Sequence, residues 1–188
     1  MQSEAGEKRA VGPGILNEAG TRQTDALPKA ISFRGWSFWC ALLVFLIDQV
    51  SKAAIDHFCP IGYCHNVIPG FFNLVHYRNT GSAWGMFSNH TWILGGISLL
   101  AFAAFIAYFK RICKDDFLTA LAMSVFIGGI AGNMVDRICR HSVIDFIDVY
   151  VSGHHWPAFN IADSAICVAV GALVVLSYIS EKRAGKRA

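Results

Sequence analysis

The sequence predicts an all-α membrane protein: four transmembrane helices with a small sheet at the membrane surface. Three observations carry this. Of the 188 residues, 54% are hydrophobic and only 15% charged, with a mean hydropathy of +0.44, whereas a soluble domain carries about a quarter charged residues. The apolar residues are gathered into four runs instead of being spread along the chain. The basic residues collect between and beyond those runs in an alternating pattern, as they do in a multi-pass protein.

The runs are taken in order. The first covers residues 36 to about 55 and is interrupted late by Asp48 and Lys52. Residues 92–109 and 117–135 contain no charge at all, and residues 164–180 begin directly after Asp163. Each approaches the ~20 residues that cross ~30 Å of hydrocarbon. Backbone groups in lipid must pair within their own segment, so the runs are expected to be helices. Residues 1–35 are polar and aperiodic and read as a disordered cytoplasmic tail. Residues 36–180 form one four-helix domain, and 181–188 a basic cytoplasmic tail. No cleavable signal peptide is evident, so the first run is expected to act as an uncleaved anchor.

Lys8, Arg9, Arg22, Lys29 and Arg34 precede the first run, Lys110, Arg111 and Lys114 follow the second, and Lys182, Arg183, Lys186 and Arg187 end the chain. These are 12 of the 16 Lys and Arg. The positive-inside rule then places both termini in the cytoplasm and the two long loops, about 57–91 and 136–162, on the outer face. The net charge of +3 is thus a topology signal and gives no reason to invoke nucleic acid.

The first outer loop contains a strand-like stretch, residues 71–78 (FFNLVHYR), between turn signals at Pro69-Gly70 and Asn79-Thr80-Gly81. Trp84, Met86 and Phe87 after it suit a membrane interface. In the second loop Pro157 stops any helix before Phe159. Gly128, Gly129 and Gly132 near the end of the third run allow close helix approach. Cys59 and Cys64 are close enough in sequence for a local disulfide, with two free thiols as the alternative.

Acidic residues at a membrane boundary are costly to desolvate and mark candidate sites. Asp163 stands three residues after Asn160, the arrangement of a helix N-cap and its first turn. At the entry to lipid, desolvation opposes the charged form while the helix dipole favours it. Asp145 lies among Val143, Ile144, Phe146 and Ile147, which draw it toward the membrane surface. Asp148 competes with it, and the residues alone do not decide between them. Asp48 and Lys52, four apart on one helix face, either neutralise each other or brace an outer-side cavity. Asn133 and Arg137 share a face in the same way. His141, His154 and His155 raise a metal site, but no helical ligand spacing supports one.

Four blocks resemble a known family. They are Asp48-Gln49-Val50-Ser51-Lys52; residues 72–83 (FNLVHYRNTGSA); Gly132-Asn133-Met134-Val135-Asp136-Arg137 with Val143-Ile144-Asp145-Phe146; and Phe159-Asn160-Ile161-Ala162-Asp163. In this order, on four apolar runs, they resemble lipoprotein signal peptidase (signal peptidase II), the membrane aspartic peptidases of bacterial lipoprotein maturation. The resemblance spans about residues 36–180. It implies that Asp145 and Asp163 are the catalytic pair, so that Asp148 drops out. It implies supporting or substrate-binding roles for Asp48, Lys52, Asn79, Asn133, Arg137 and Asn160, and a structural one for Asp136. It further implies a small extracytoplasmic β-cradle, a short interfacial helix after it or in the second loop, and a first outer loop whose Trp84 and Phe87 close over substrate. The implied substrate is a prolipoprotein with a diacylglyceryl-cysteine, cleaved just before that cysteine. The enzyme would need no cofactor or metal. It would work as a monomer among membrane lipid in the bacterial inner membrane, with its site on the outer face. Two small departures are Trp84, where the family often has Phe, and Ala169, where a Gly is expected. A non-enzymatic membrane protein, such as a small transporter or a complex subunit, with a proton path through Asp48, Lys52 and Asp163 is the alternative, and a metallopeptidase the third reading.

Overall fold

A computed structural model describes residues 33–81, 90–113 and 116–185. They form four long helices and one four-stranded antiparallel sheet. In chain order these are α1 (Phe33–Phe58), β1 (Cys64–Ile68), β2 (Phe72–Asn79), α2 (Thr91–Cys113), α3 (Phe117–Val135), β3 (Val143–Val151), β4 (His154–His155) and α4 (Ile161–Gly185). A π-helical turn, Asp136–Arg140, extends α3 and stops at His141, whose φ of 55° is left-handed. All four helices are long and apolar enough to cross a membrane.

Two helices outrun their predicted bounds. α1 starts at Phe33, and its first turn is anchored by Trp36, whose ring lies 4.7 Å from that of Phe117. α4 starts at Ile161 and continues through Gly185, so part of the expected basic tail is helical. Glu181, Lys182 and Arg183 are good helix formers, and the two cations suit the negative end of the helix dipole. α3 begins with a cap: Asp116 accepts from Thr119 N at 2.7 Å.

α3 is the centre of the bundle, with α1, α2 and α4 packed around it. Its small residues permit this. A Cβ on Gly128 would lie 2.5 Å from the Ala41 carbonyl of α1, one on Gly129 would lie 2.7 Å from the Ala162 carbonyl of α4, and one on Gly132 would collide with the Asp48 carboxylate. Ala169, in place of the expected glycine, is itself buried on α4. Gly128→Ala is therefore expected to separate α1 from α3 and cost about 1–3 kcal/mol. Gly171→Ala, where a Cβ meets nothing within 4 Å, should be neutral or slightly stabilising. Thermal unfolding of the two variants in detergent checks the contrast.

The sheet joins both loops in the order β1-β2-β3-β4. The predicted strand at 71–78 is β2. The second loop departs from expectation: where an interfacial helix was one alternative, it supplies β3, the strand that carries Asp145. The other place for that helix, together with Trp84, Met86 and Phe87, falls outside the described residues. β2 and β3 pair with a bulge between Leu74 and Tyr77, where Val75 and His76 oppose Phe146. A one-residue slip moves every later side chain to the other face. Beyond the bulge, Tyr77 pairs with Asp145 and Asn79 with Val143, which brings Asn79 onto the face of Asp145. Ile144 and Phe146 project the other way and pack with Ile55 of α1. Cys59 and Cys64 are free thiols.

Candidate active site

The start of α4 organises a buried polar cluster where the helices meet the sheet. Asn160 and Asp163 cap the helix reciprocally: Asp163 N donates to Asn160 Oδ1 at 2.9 Å, and Asn160 N donates to Asp163 Oδ2 at 3.2 Å. With its carbonyl oxygen committed to the cap, the Asn160 amide turns outward and donates to Asp145 Oδ1 at 2.8 Å. One asparagine thus holds both aspartates. Asn79 donates to the other Asp145 oxygen at 2.9 Å, and Asn133 donates to Asp163 Oδ1 at 2.7 Å.

Asn133 is oriented in turn by Lys52, whose ammonium donates to its Oδ1 at 2.9 Å. Lysine has no acceptor, so this contact fixes which end of the Asn133 amide faces Asp163. The same ammonium lies 2.8 Å from Asp48 and 2.8 Å from Asp136, and all three side chains are fully buried. Asp48 also accepts from Ala162 N at 2.9 Å, tying α1 to the first turn of α4. Asp48 and Lys52 thus form an ion pair with each other, and Lys52 also contacts Asp136 and Asn133. Asp136 is an ion partner of Lys52 and of Arg140. Arg137 donates to the Asn133 carbonyl at 3.4 Å.

Four carboxylates (Asp48, Asp136, Asp145 and Asp163) face three cations (Lys52, Arg137 and Arg140) here, an excess of one negative charge. Burial first, and then the Asp163 carboxylate, push the Asp145 carboxyl up to about 7, against the opposing hydrogen bonds of Asn79 and Asn160. One proton held near neutral pH would cancel the excess.

The predicted residues Asp48, Lys52, Asn79, Asn133, Asn160, Asp145 and Asp163 form one continuous network, with Arg137 at its edge. Asp148 is elsewhere. Strand alternation turns it to the face opposite Asp145, where it accepts from Asn73 at 2.8 Å and meets His155 Nδ1 at 2.9 Å. Among the described residues no three His, Cys, Asp or Glu side chains could hold a metal ion.

Sequence reasoning missed Gln49 and Arg140. Gln49 donates to Asp48, to the Gly132 carbonyl and to Asp136, and accepts from Arg140 at 2.9 Å. A polar residue beside Asp48 within an apolar run was the available signal. Adjacent helix positions do not share a face, so helical spacing does not pair Gln49 with Asp48.

The model of signal peptidase (SPase) II matches residues 40–179. A lipoprotein signal peptidase of Geobacter metallireducens is 40% identical over 141 residues, covering 73% of this chain and 86% of the relative. Two solved bacterial membrane enzymes, determined by the in meso method at 2.3 and 1.9 Å resolution, have similar folds. The first has a TM-score of 0.72 at 32% identity, covering 79% of this chain and 90% of its own. The second has a TM-score of 0.69 at 33% identity, covering 76% and 92%. The matched stretch runs through most of all four helices and includes the sheet and every residue of the network, and on that ground the chain belongs to the signal peptidase II family of membrane peptidases.

Proposed function

We propose that the chain removes the signal peptide from diacylglyceryl-modified prolipoproteins, hydrolysing the bond before the lipidated cysteine with Asp145, Asp163 and a water. The observation that carries this reading is the double grip of Asn160 on both carboxyls within a cluster one negative charge in excess. A singly protonated pair suits metal-free peptide hydrolysis. The ionised member takes a proton from the water, and the protonated member hydrogen-bonds the scissile carbonyl as charge develops on it. The proton belongs to the pair, so neither aspartate is assigned it. Asn133, Asn79 and Asn160 hold the carboxyls. Arg137, the least tightly held cation of the cluster, positions substrate, while Asp48 and Lys52 brace the network from within α1. The basic residues at the opposite end of the helices support cytoplasmic termini and a site on the outer face of the inner membrane. In this reading residues 36–180 are the peptidase domain, working as a monomer with substrate and bilayer lipid as its partners and with no cofactor.

The reading is tested by incubating purified protein with a synthetic precursor, with and without the diacylglyceryl group. Mass spectrometry should find a single product beginning at the lipidated cysteine and little cleavage of the unmodified peptide. Equal cleavage of both would remove the lipid from recognition.

The raised Asp145 carboxyl sets the pH dependence. A pair that needs one proton loses it as pH climbs through about 7, so single-turnover rates should fall on the alkaline side. The fold should also lose stability between the ordinary carboxylate range and about 7, because the unfolded chain releases this proton first. A rate that stayed flat to pH 9 would argue against a shared proton.

A further inference from the structure

α1 and α2 pack on α3 rather than on one another, and an open cavity of about 500 Å³ lies between them. Phe38, Leu42 and Phe45 of α1, Phe102 and Ile106 of α2, and Ile127 of α3 line it, and Lys110 is part of its wall. Among the described residues, no acidic side chain and no member of the Asp145–Asp163 network contributes. α1 lends the first half of its length and α2 the second. Along α3 the cavity runs from Ser124 to Val135, so it extends from the end of the bundle that carries Lys110 and Arg111 toward the end where α3 meets Asp136.

We propose that this cavity binds one acyl chain of an anionic phospholipid whose phosphate is held by Lys110. Its walls are apolar, with no cluster of polar groups to hold water. Because the helices around it are long and apolar enough to cross a membrane, hydrocarbon is the medium that fills it. Its size excludes a peptide helix, since a span is about 10 Å across and about 30 Å long, several times the available volume. A chain with one long, flexible hydrocarbon arm fits instead. The head group of such a lipid sits at the basic end, whereas a lipid attached to a substrate at the sheet end has its polar group on the opposite side of the bundle. Lys110, with no carboxylate among the described residues of the cavity wall, attracts an anionic head group and gives a zwitterionic one no such advantage.

Native mass spectrometry of the full chain, equilibrated with equal amounts of phosphatidylglycerol and phosphatidylcholine of the same chain length, tests this. One lipid should be retained per protein, with phosphatidylglycerol favoured about fivefold. Lys110→Glu should abolish that preference and leave lipid retention. Ala107→Trp, which fills the cavity from an exposed wall position, should remove the retained lipid, with helix content and thermal midpoint confirming that both variants fold. The proposal is overturned if wild type holds both lipids equally, if the preference survives Lys110→Glu, or if Ala107→Trp keeps its lipid. A dimer appearing in place of the lipid would assign the cavity to a second copy of the chain. None of these readouts depends on cleavage, so they stand apart from the test of the dyad.

Discussion

Asp145→Asn and Asp163→Asn are each expected to lower the cleavage rate of a lipid-modified precursor by about 10²–10⁴-fold, the range that positioned acid–base groups supply. The geometry makes the prediction specific. Each carboxylate accepts from two donors, Asp145 from Asn79 and Asn160 and Asp163 from Asn133 and the Asn160 backbone. An asparagine offers one acceptor, so one donor–donor contact arises in either variant while the side-chain volume is kept. Both variants also remove the excess negative charge, so stability should change far less than rate. Binding of the precursor, measured separately by retention on the immobilised enzyme, should stay within a few-fold of wild type. Asp148→Asn provides the comparison. Its carboxylate is on the other face of β3 with Asn73 and His155, and its rate should remain near wild type. Normal turnover by a well-folded Asp145→Asn or Asp163→Asn enzyme would dispose of the pair, and a loss in Asp148→Asn matching theirs would mean the sheet as a whole had been disturbed.

The contrast between Asp145 and Asp148 also shows what could be read from the chain. The four helices were legible because hydrocarbon thickness imposes a length and disfavours charge, a local condition that three runs meet outright and the first breaks only at Asp48 and Lys52. The Asn160–Asp163 cap was legible for the same reason, since donor and acceptor are three residues apart. β3 was not. Val143, Ile144, Phe146 and Ile147 show no alternation, because Ile144 and Phe146 are buried against α1 on one face while Val143 is buried on the other. A strand covered on both sides lacks a polar face to announce it. Without β3, the alternation that separates Asp145 from Asp148 was invisible, and only the motif resemblance distinguished them. The bulge that brings Asn79 onto the Asp145 face, and the contacts of Gln49 with residues more than 80 positions away, are products of the assembled fold. No local pattern encodes them.

Lys52 carries the other large expectation. Its ammonium, wholly buried, is surrounded by Asp48, Asp136 and Asn133 at 2.8, 2.8 and 2.9 Å. Lys52→Met preserves much of the volume and deletes the cation. Asp136 still has Arg140, but Asp48 is left with only hydrogen-bond donors, and an uncompensated buried charge costs about 3–5 kcal/mol. The single variant should therefore unfold at a markedly lower temperature. Adding Asp48→Asn restores the charge balance of the cluster and should recover a large part of that loss. The rate should not recover with it. Asn133 would retain only the weaker 3.2 Å contact from Asn160 to fix its amide, and Asp163 would face an amide free to present its oxygen. Loss of a group that orients an active residue typically costs about 10–100-fold, and the double variant should stay that far below wild type. Thermal midpoints and single-turnover rates measured on the same three preparations separate the two effects. Recovery of both together would make Lys52 a counter-charge alone, whereas a single variant as stable as wild type would mean that Asp48 is not ionised in the folded protein.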